Sequence, residues 1–314
     1  MIEQIATMLH QRARHRLWLI SDLQQSIPEN ATLCMRAAAE DFAALSLPCQ
    51  YIFYLGDAVE GHDRVYIEEM TQMQFEKLDP LGIHVVYVVG NHDFDYYRHH
   101  RQELSRVELP FYDAVKGHAL WRTGALEDFY FALDMGEYAV VCLPDHAAAD
   151  GSWFTTHGEI HGDVSAYPYG EDDWKALSER IKKWQKPVFT MGHYSFLGGN
   201  REAPLQSRML PLPDNVRIHF YGHAHIGDAV WAGKDCYRKL SAVDWQDIVQ
   251  INVASLENFR GSAIRSAFLE IYEDGTYGVL FRNHTQKKWE EAYLVDTKPV
   301  SQKTVGGNLS LSES

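Results

Sequence analysis

The chain has 314 residues, 46% of them apolar and 23% charged, with 29 Lys and Arg against 43 Asp and Glu for a formal charge of −14. That mix belongs to a globular protein with a sizeable core and excludes a disordered, collagen-like or disulfide-scaffold chain. The acidic balance argues against non-specific nucleic-acid binding, which draws on cationic contacts to phosphate. No run approaches the ~20 apolar residues of a membrane helix.

Residues 1–16 space Ile2, Ile5, Met8 and Leu9 as on a helix, among Glu3, Arg12, Arg14 and Arg16. There is no apolar h-region or small-residue cleavage site, so this start does not read as a signal peptide, and a cytoplasmic location is the expectation. Short apolar runs then recur, each ending in turn residues. Residues 17–20 run into Ser21-Asp22, 51–55 into Gly56-Asp57, and 83–89 into Gly90-Asn91-His92-Asp93. Further along, 138–143 stop at Pro144-Asp145, 188–191 at Gly192-His193, and 218–221 at Gly222-His223. Their length and Val/Ile/Tyr/Phe content predict buried strands.

Helical patterns fill the gaps, over 30–45, 63–77 and 172–184. In the last, Asp172 and Asp173 open the helix, Lys182 and Lys183 close it, and Pro187 stops it. Strand–helix alternation predicts an α/β core with mostly parallel strands. Beyond residue 226 come strands at 248–253, 267–272 and 276–281, with Glu273-Asp274-Gly275 as a hairpin turn. These are expected to finish a second sheet packed on the first. Residues 1–298 read as a single domain and 299–314, polar and aperiodic, as a flexible C-terminal tail. Cys34, Cys49, Cys142 and Cys236 lack any C-x-x-C spacing and read as reduced thiols.

Histidine is the unusual count, at 16. His84 and His219 fall inside predicted strands and read as satisfied core residues, and His99 and His100 as solvent-facing. Others fall at strand ends, where open α/β sheets bind their ligands. Five such ends carry metal-ligating types: Asp22, Asp57, Asn91, His193, and the pair His223 and His225. Carboxylate, amide and imidazole together suit hard-to-intermediate divalent cations.

The segments Ser-Asp-Leu-Gln (21–24), Gly-Asp-Ala-Val-Glu (56–60), Gly-Asn-His-Asp (90–93), Gly-His (192–193) and Gly-His-Ala-His (222–225) resemble, in order, the motifs of the calcineurin-like metallophosphoesterase superfamily. The resemblance implies a four-layer α-β-β-α sandwich of two mixed sheets flanked by helices. It also implies two divalent metal ions (Mn, Fe or Zn), one held by Asp22, Asp57 and His225, the other by Asp57, Asn91, His193 and His223. A water bridging such a pair is acidified and attacks the phosphorus, and His92 is implied as the general acid at the leaving group.

Two positions depart from the pattern. The D-x-H histidine is Gln24, a weaker neutral ligand: it ligates through its carbonyl oxygen, stands aside for water, or leaves the first site empty. Glu60 occupies the place of a metal-ligating Tyr in purple acid phosphatases and of an Asp that orients the catalytic histidine in protein phosphatases. The reading preferred here is a dyad with His92; the others are a metal ligand or a solvated loop carboxylate.

The loop 145–170 contains His146, Trp153 and Phe154 and follows a core strand, so it is expected to overhang the metals. With Arg98 and Arg201, suited to phosphate contacts, His146 and Trp153 are the candidate substrate-binding residues. Gly-Asn-His-Asp with a compact Gly-His-Ala-His resembles the phosphodiesterase branches, implying a small-molecule phosphodiester or pyrophosphate as substrate. The alternatives are a phosphomonoesterase or protein phosphatase, and a metal- or ligand-binding module that lost catalysis through the change at Gln24. A nuclease is disfavoured by the charge of −14.

Overall fold

The computed structural model describes residues 2–100, 102–104, 107–124, 130–143, 153–154, 160–161, 171–194, 212–223, 225, 249–259 and 262–295. Helix α1 (Ile2–Arg12) runs into β1 (Ala13–Ile20), then α2 (Pro28–Leu45), β2 (Tyr51–Leu55), α3 (Arg64–Leu78) and β3 (His84–Val88). Next come α4 (Asp95–His100), α5 (Pro110–Lys116), β4 (Trp121–Arg122), β5 (Phe131–Asp134) and β6 (Ala139–Cys142). After β7 (Trp153–Phe154) and β8 (Ile160–His161) follow α6 (Glu171–Lys183), β9 (Val188–Met191), β10 (Val216–Tyr221) and β11 (Val249–Asn252). The described chain closes with β12 (Arg265–Tyr272), β13 (Tyr277–Asn283) and β14 (Lys288–Val295).

Two mixed sheets result, ordered β14-β13-β12-β1-β2-β3-β4 and β11-β10-β9-β6-β5, with β7 and β8 forming a separate two-stranded ladder. Strands β1 to β4 run parallel, as do β6, β9, β10 and β11. Alternation along each strand sorts the core into layers. Leu17, Leu19, Phe53, Leu55, Val86 and Val88 meet Val140, Cys142, Phe189, Met191 and Phe220 between the sheets. Their neighbours Trp18, Ile20, Ile52, Tyr54 and Tyr87 turn the other way, onto Ala38 and Phe42 of α2 and Met70 of α3. On the outer face of the second sheet, Val141 and Val188 pack on Trp174, Leu177 and Ile181 of α6. Helix, sheet, sheet and helix make the four layers that the motif resemblance implied.

Two readings of the sequence need correction. The helix spacing of residues 1–16 ends at Arg12, because residues from Ala13 onward pair with β12 and place Arg16 Nε 2.6 Å from the buried Glu270 carboxylate. Tertiary pairing overrides the local pattern. The C-terminal strands also divide differently from expectation. Only β11 joins the second sheet; β12, β13 and β14 extend the first beyond β1. Periodicity reports which residues are apolar, not which sheet edge receives them.

The loop 145–170 is not without structure, since β7 pairs antiparallel with β8 inside it. Residues 299–314, read as a tail, lie outside the described residues. Among those described, no helix is long and apolar enough to cross a membrane.

Candidate metal centre

Parallel neighbours present their carboxyl ends at the same edge of a sheet, so Asp22, Asp57 and Asn91 follow three adjacent strands (β1, β2, β3). His193, His223 and His225 follow two more, β9 and β10. The two sheets bring these turns together. Asp57, His193 and His223 each offer a ligand atom within 4.8 Å of the others, and so do Asp22, Asp57 and His225. Asp57 belongs to both sets.

The turns are strained to do this. Eight non-glycine residues among those described have a left-handed φ, and four are Asp22 (+56°), Asp57 (+53°), His223 (+64°) and His225 (+40°). Such conformations cluster where function over-determines the backbone. Close approach also demands glycine. A Cβ on Gly90 would overlap the Asp57 backbone and carboxylate, and one on Gly222 would overlap Ser21 and Asp22.

Hydrogen bonding shows which atoms a cation would join. His193 Nδ1 lies 2.7 Å from the carbonyl oxygen of Leu55, which can only accept, so Nδ1 carries a proton. Nε2 then faces Asn91 Oδ1 at 3.0 Å and Asp57 Oδ2 at 3.0 Å. His225 repeats the arrangement: Nδ1 donates to Glu257 Oε1 at 2.7 Å, and Nε2 lies 3.1 Å from Asp22 Oδ1. Electron-rich atoms therefore point at one another in pairs. The acceptors Asp57 Oδ2 and Gln24 Oε1 are buried without a hydrogen-bond partner. Buried polar atoms are rarely left so; cations between the facing atoms would resolve the conflict, and the donor set fits divalent metals.

Protons resolve it otherwise. Burial alone lowers His193, but the Asp57 carboxylate outweighs it and lifts the pKa to about 10. Burial likewise opposes a positive His225, yet Asp22 and Glu257 lift it to about 9. His223 goes the other way: burial, then the positive His193, push it down to about 3, leaving a neutral imidazole. Asp57 is held well below the carboxylate range against its own burial, chiefly by His193 and His92. Metal uptake here competes with protons on His193 and His225.

The sequence model of calcineurin-like phosphoesterases matches residues 15–227. This chain belongs to that family. As a member, it is a metal-dependent phosphoesterase, and the family implies a dinuclear centre of divalent ions. Its fold resembles a dimetal phosphatase from Danio rerio (TM-score 0.59, 13% identity, 96% of this chain and 100% of that one). It also resembles the purple acid phosphatase PPD1 from yellow lupin, Lupinus luteus, seeds (TM-score 0.53, 14% identity, 90% of this chain and 53% of that one). No curated protein matches.

In this phosphoesterase Gln24 lies inside the first ligand set, its amide nitrogen 2.7 Å from His225 Nε2. Amide oxygen and nitrogen occupy nearly equivalent positions, so a half-turn of the group aims Oε1 at the same point. Asn91 is fixed beside His193 and accepts from the Tyr194 hydroxyl at 3.3 Å. The backbone N–H of His92 donates to Asp57 Oδ1 at 2.7 Å, setting that imidazole one residue from the centre.

The partner of His92 is not the one expected. Its Nδ1 donates to Asp95 Oδ2 at 2.8 Å, and Asp95 is ion-paired in turn with Arg98. Glu60 is half-buried, and its charge acts on Tyr66, whose hydroxyl is pushed up to about 12 first by burial and then by that carboxylate. The expected dyad is thus replaced by His92–Asp95, because the first residues of α4 put position 95 on the His92 ring. That i, i+3 spacing was open to reading in Gly-Asn-His-Asp-Phe-Asp.

Of the candidate substrate residues, Arg98 stands near the centre: burial lowers its pKa while the charge of Asp57 raises it. Trp153 belongs to β7, its backbone paired with His161. His146 and Arg201 lie outside the described residues. His219 is a core residue as read, buried with Nδ1 3.0 Å from Thr190 Oγ1 and Nε2 2.8 Å from the Tyr194 carbonyl oxygen. Sequence reasoning missed Glu257, Asp95, Tyr194 and the wider role of Asp93. Asp93 accepts from the backbone N–H groups of Asp57, Ala58 and Gly90, tying the second and third motif turns together. Tyr194 was signalled by adjacency to His193; Glu257 had no local signal.

Proposed function

We propose that this phosphoesterase hydrolyses a small-molecule phosphodiester or pyrophosphate, with Asp22, Gln24, Asp57 and His225 holding one metal and Asp57, Asn91, His193 and His223 the other. The carrying observation is that Asp57 is common to both ligand sets while its Oδ1 accepts the N–H of His92. Metals bound there would activate water and neutralise phosphoryl charge. His92, with Nδ1 bonded to Asp95 and its side chain 15% exposed, keeps Nε2 for the leaving oxygen. A positioned imidazole of this kind supplies the proton that a poor leaving group needs. Arg98 is close enough to feel the charge of Asp57 but is ion-paired with Asp95. A centre whose nearby guanidinium is already paired suits a singly charged diester better than a dianionic monoester.

The test compares a chromogenic phosphodiester with a chromogenic phosphomonoester across Mn, Fe, Co, Ni, Zn and Mg, for the wild type and His92→Ala. We expect Mn to support the highest rate, since each ligand set includes an amide, a weak donor for softer metals. The diester should be preferred. His92→Ala should cost about 10²–10⁴-fold, most for the leaving group of highest pKa. Faster turnover of the monoester would overturn the diester assignment, and an unaltered rate in His92→Ala would overturn the role of that residue.

A further inference from the structure

The two ligand sets are unequal. Around Asp57 and Asn91 stand two imidazoles, His193 and His223, whereas around Asp22 stands one, His225, because position 24 is Gln. The second-set His193 is oriented by a neutral group, the Leu55 carbonyl oxygen. The first-set His225 is oriented by a charged one, Glu257, whose side chain is fully buried. A carboxylate behind a metal-binding histidine fixes its tautomer and makes it a stronger donor. The stronger support therefore stands behind the poorer set.

Glu257 is held there by the main chain. Its N–H donates to the Asp22 carbonyl oxygen at 3.1 Å, and Leu256 N–H donates to that of Ser21 at 2.9 Å. Upstream, Asn252 Nδ2 donates to the Gly222 carbonyl oxygen at 2.7 Å, and Val253 N–H to that of Tyr221 at 2.9 Å. Residues 252–257 thus clamp the first and last motif turns together, and all lie beyond the 15–227 matched by the family.

We propose that Glu257 is a positioning residue for His225 that compensates for the imidazole missing at Gln24, so that the first ligand set retains its cation only with this carboxylate in place. The inference rests on the two-metal reading above. It gives the segment after β11 a role in loading the centre.

Manganese binding tests it on the full chain, by equilibrium dialysis with elemental analysis and by the spin-coupled electron paramagnetic resonance signal of a paired centre. The wild type should bind two Mn²⁺ per chain. Glu257→Gln, which keeps shape and an acceptor but removes the charge, should weaken one equivalent by about 10–100-fold and abolish the coupled signal while the other equivalent is unchanged. Gln24→His in that background should restore both. Two equivalents of wild-type affinity in Glu257→Gln would overturn the proposal and leave the two-metal reading standing. Fewer than two in the wild type would overturn both. If Glu257→Gln does not fold, Gln24→His alone decides: the weaker equivalent should tighten by about tenfold or more, and unchanged affinity would overturn the compensation.

Discussion

Two buried polar clusters in this protein look alike at first and differ in one respect. Behind the first sheet, His284 Nδ1 donates to Asp41 Oδ2 at 2.9 Å, the Ser266 hydroxyl lies 2.7 Å from His284 Nε2, and Trp18 Nε1 donates to Ser266 at 2.7 Å. Arg282 completes the set with bonds of 2.8 and 2.9 Å to the two oxygens of Asp41. Serine, histidine and aspartate stand in line as in a hydrolytic triad, yet no atom of these five residues is among the orphaned buried polar atoms, and Ser266 and Asp41 are buried. At the metal centre, carboxylates and imidazoles converge, buried atoms lack partners, and four turn residues sit at left-handed φ; none of the five residues of the other cluster does. A satisfied network rigidifies a core, whereas converging ligand types with orphaned buried atoms suit a cation that can displace protons. Matching of donors to acceptors, not residue type, separates structure from function here.

Breaking the centre should produce the largest effect. Asp57→Asn removes the carboxylate common to both ligand sets, and we expect metal content to fall together with a rate loss of at least ~1000-fold, about 4 kcal/mol of barrier. Robust turnover in that variant would refute a shared ligand. Asp41→Asn is the counterpart in the satisfied cluster. It leaves the Arg282 charge buried without its partner, so unfolding free energy should drop by about 3–5 kcal/mol. Metal stoichiometry and the rate per folded molecule should stay at wild-type values; a loss of metal instead would show that the two clusters are one functional unit.

Acidification sharpens the contrast with a smaller effect. Burial raises the Asp41 carboxyl, but hydrogen bonds from Arg282 and His284 outweigh it and hold it at about 2 against an ordinary 3.8. A carboxyl depressed in the folded state stabilises above its unfolded pKa, and this contribution, about 2 kcal/mol, disappears as pH falls from 3.8 through about 2. His284, kept neutral by burial and so depressed from 6.5, acts in the same direction, with loss beginning as pH falls through that value. In Asp41→Asn the acid limb of a stability–pH curve should flatten; an unchanged limb would place the sensitivity elsewhere. The smallest effect belongs to Trp18→Phe, which removes one donor to Ser266 and should cost about 1 kcal/mol in chemical denaturation, with the rate untouched.

Much of the centre was legible in the chain because each candidate ligand follows an apolar run of strand length, and parallel strands bring their carboxyl ends to one edge. Asp22, Asp57, Asn91, His193, His223 and His225 needed no more than that rule. Asp95 was within reach, three residues from His92, but the resemblance drew the reading to Glu60. Glu257 follows the sixth strand end, β11, and the strand itself was expected; its carboxylate carried no motif, and its partner His225 lies 32 residues away.

What the amino-acid order determined by itself was the local chemistry: which runs become strands, which turn residues terminate them, and which donor atoms those turns present. Only tertiary structure decided that β12 to β14 extend the first sheet, that His92 leans on Asp95, and that Glu257 stands behind His225. The reason is the range of the forces involved. Alternation, capping and turn strain act between residues a few positions apart and leave a signature there. Sheet-edge choice and carboxylate pairing are settled by burial and hydrogen bonding between segments whose distance along the chain carries no information about their distance in space.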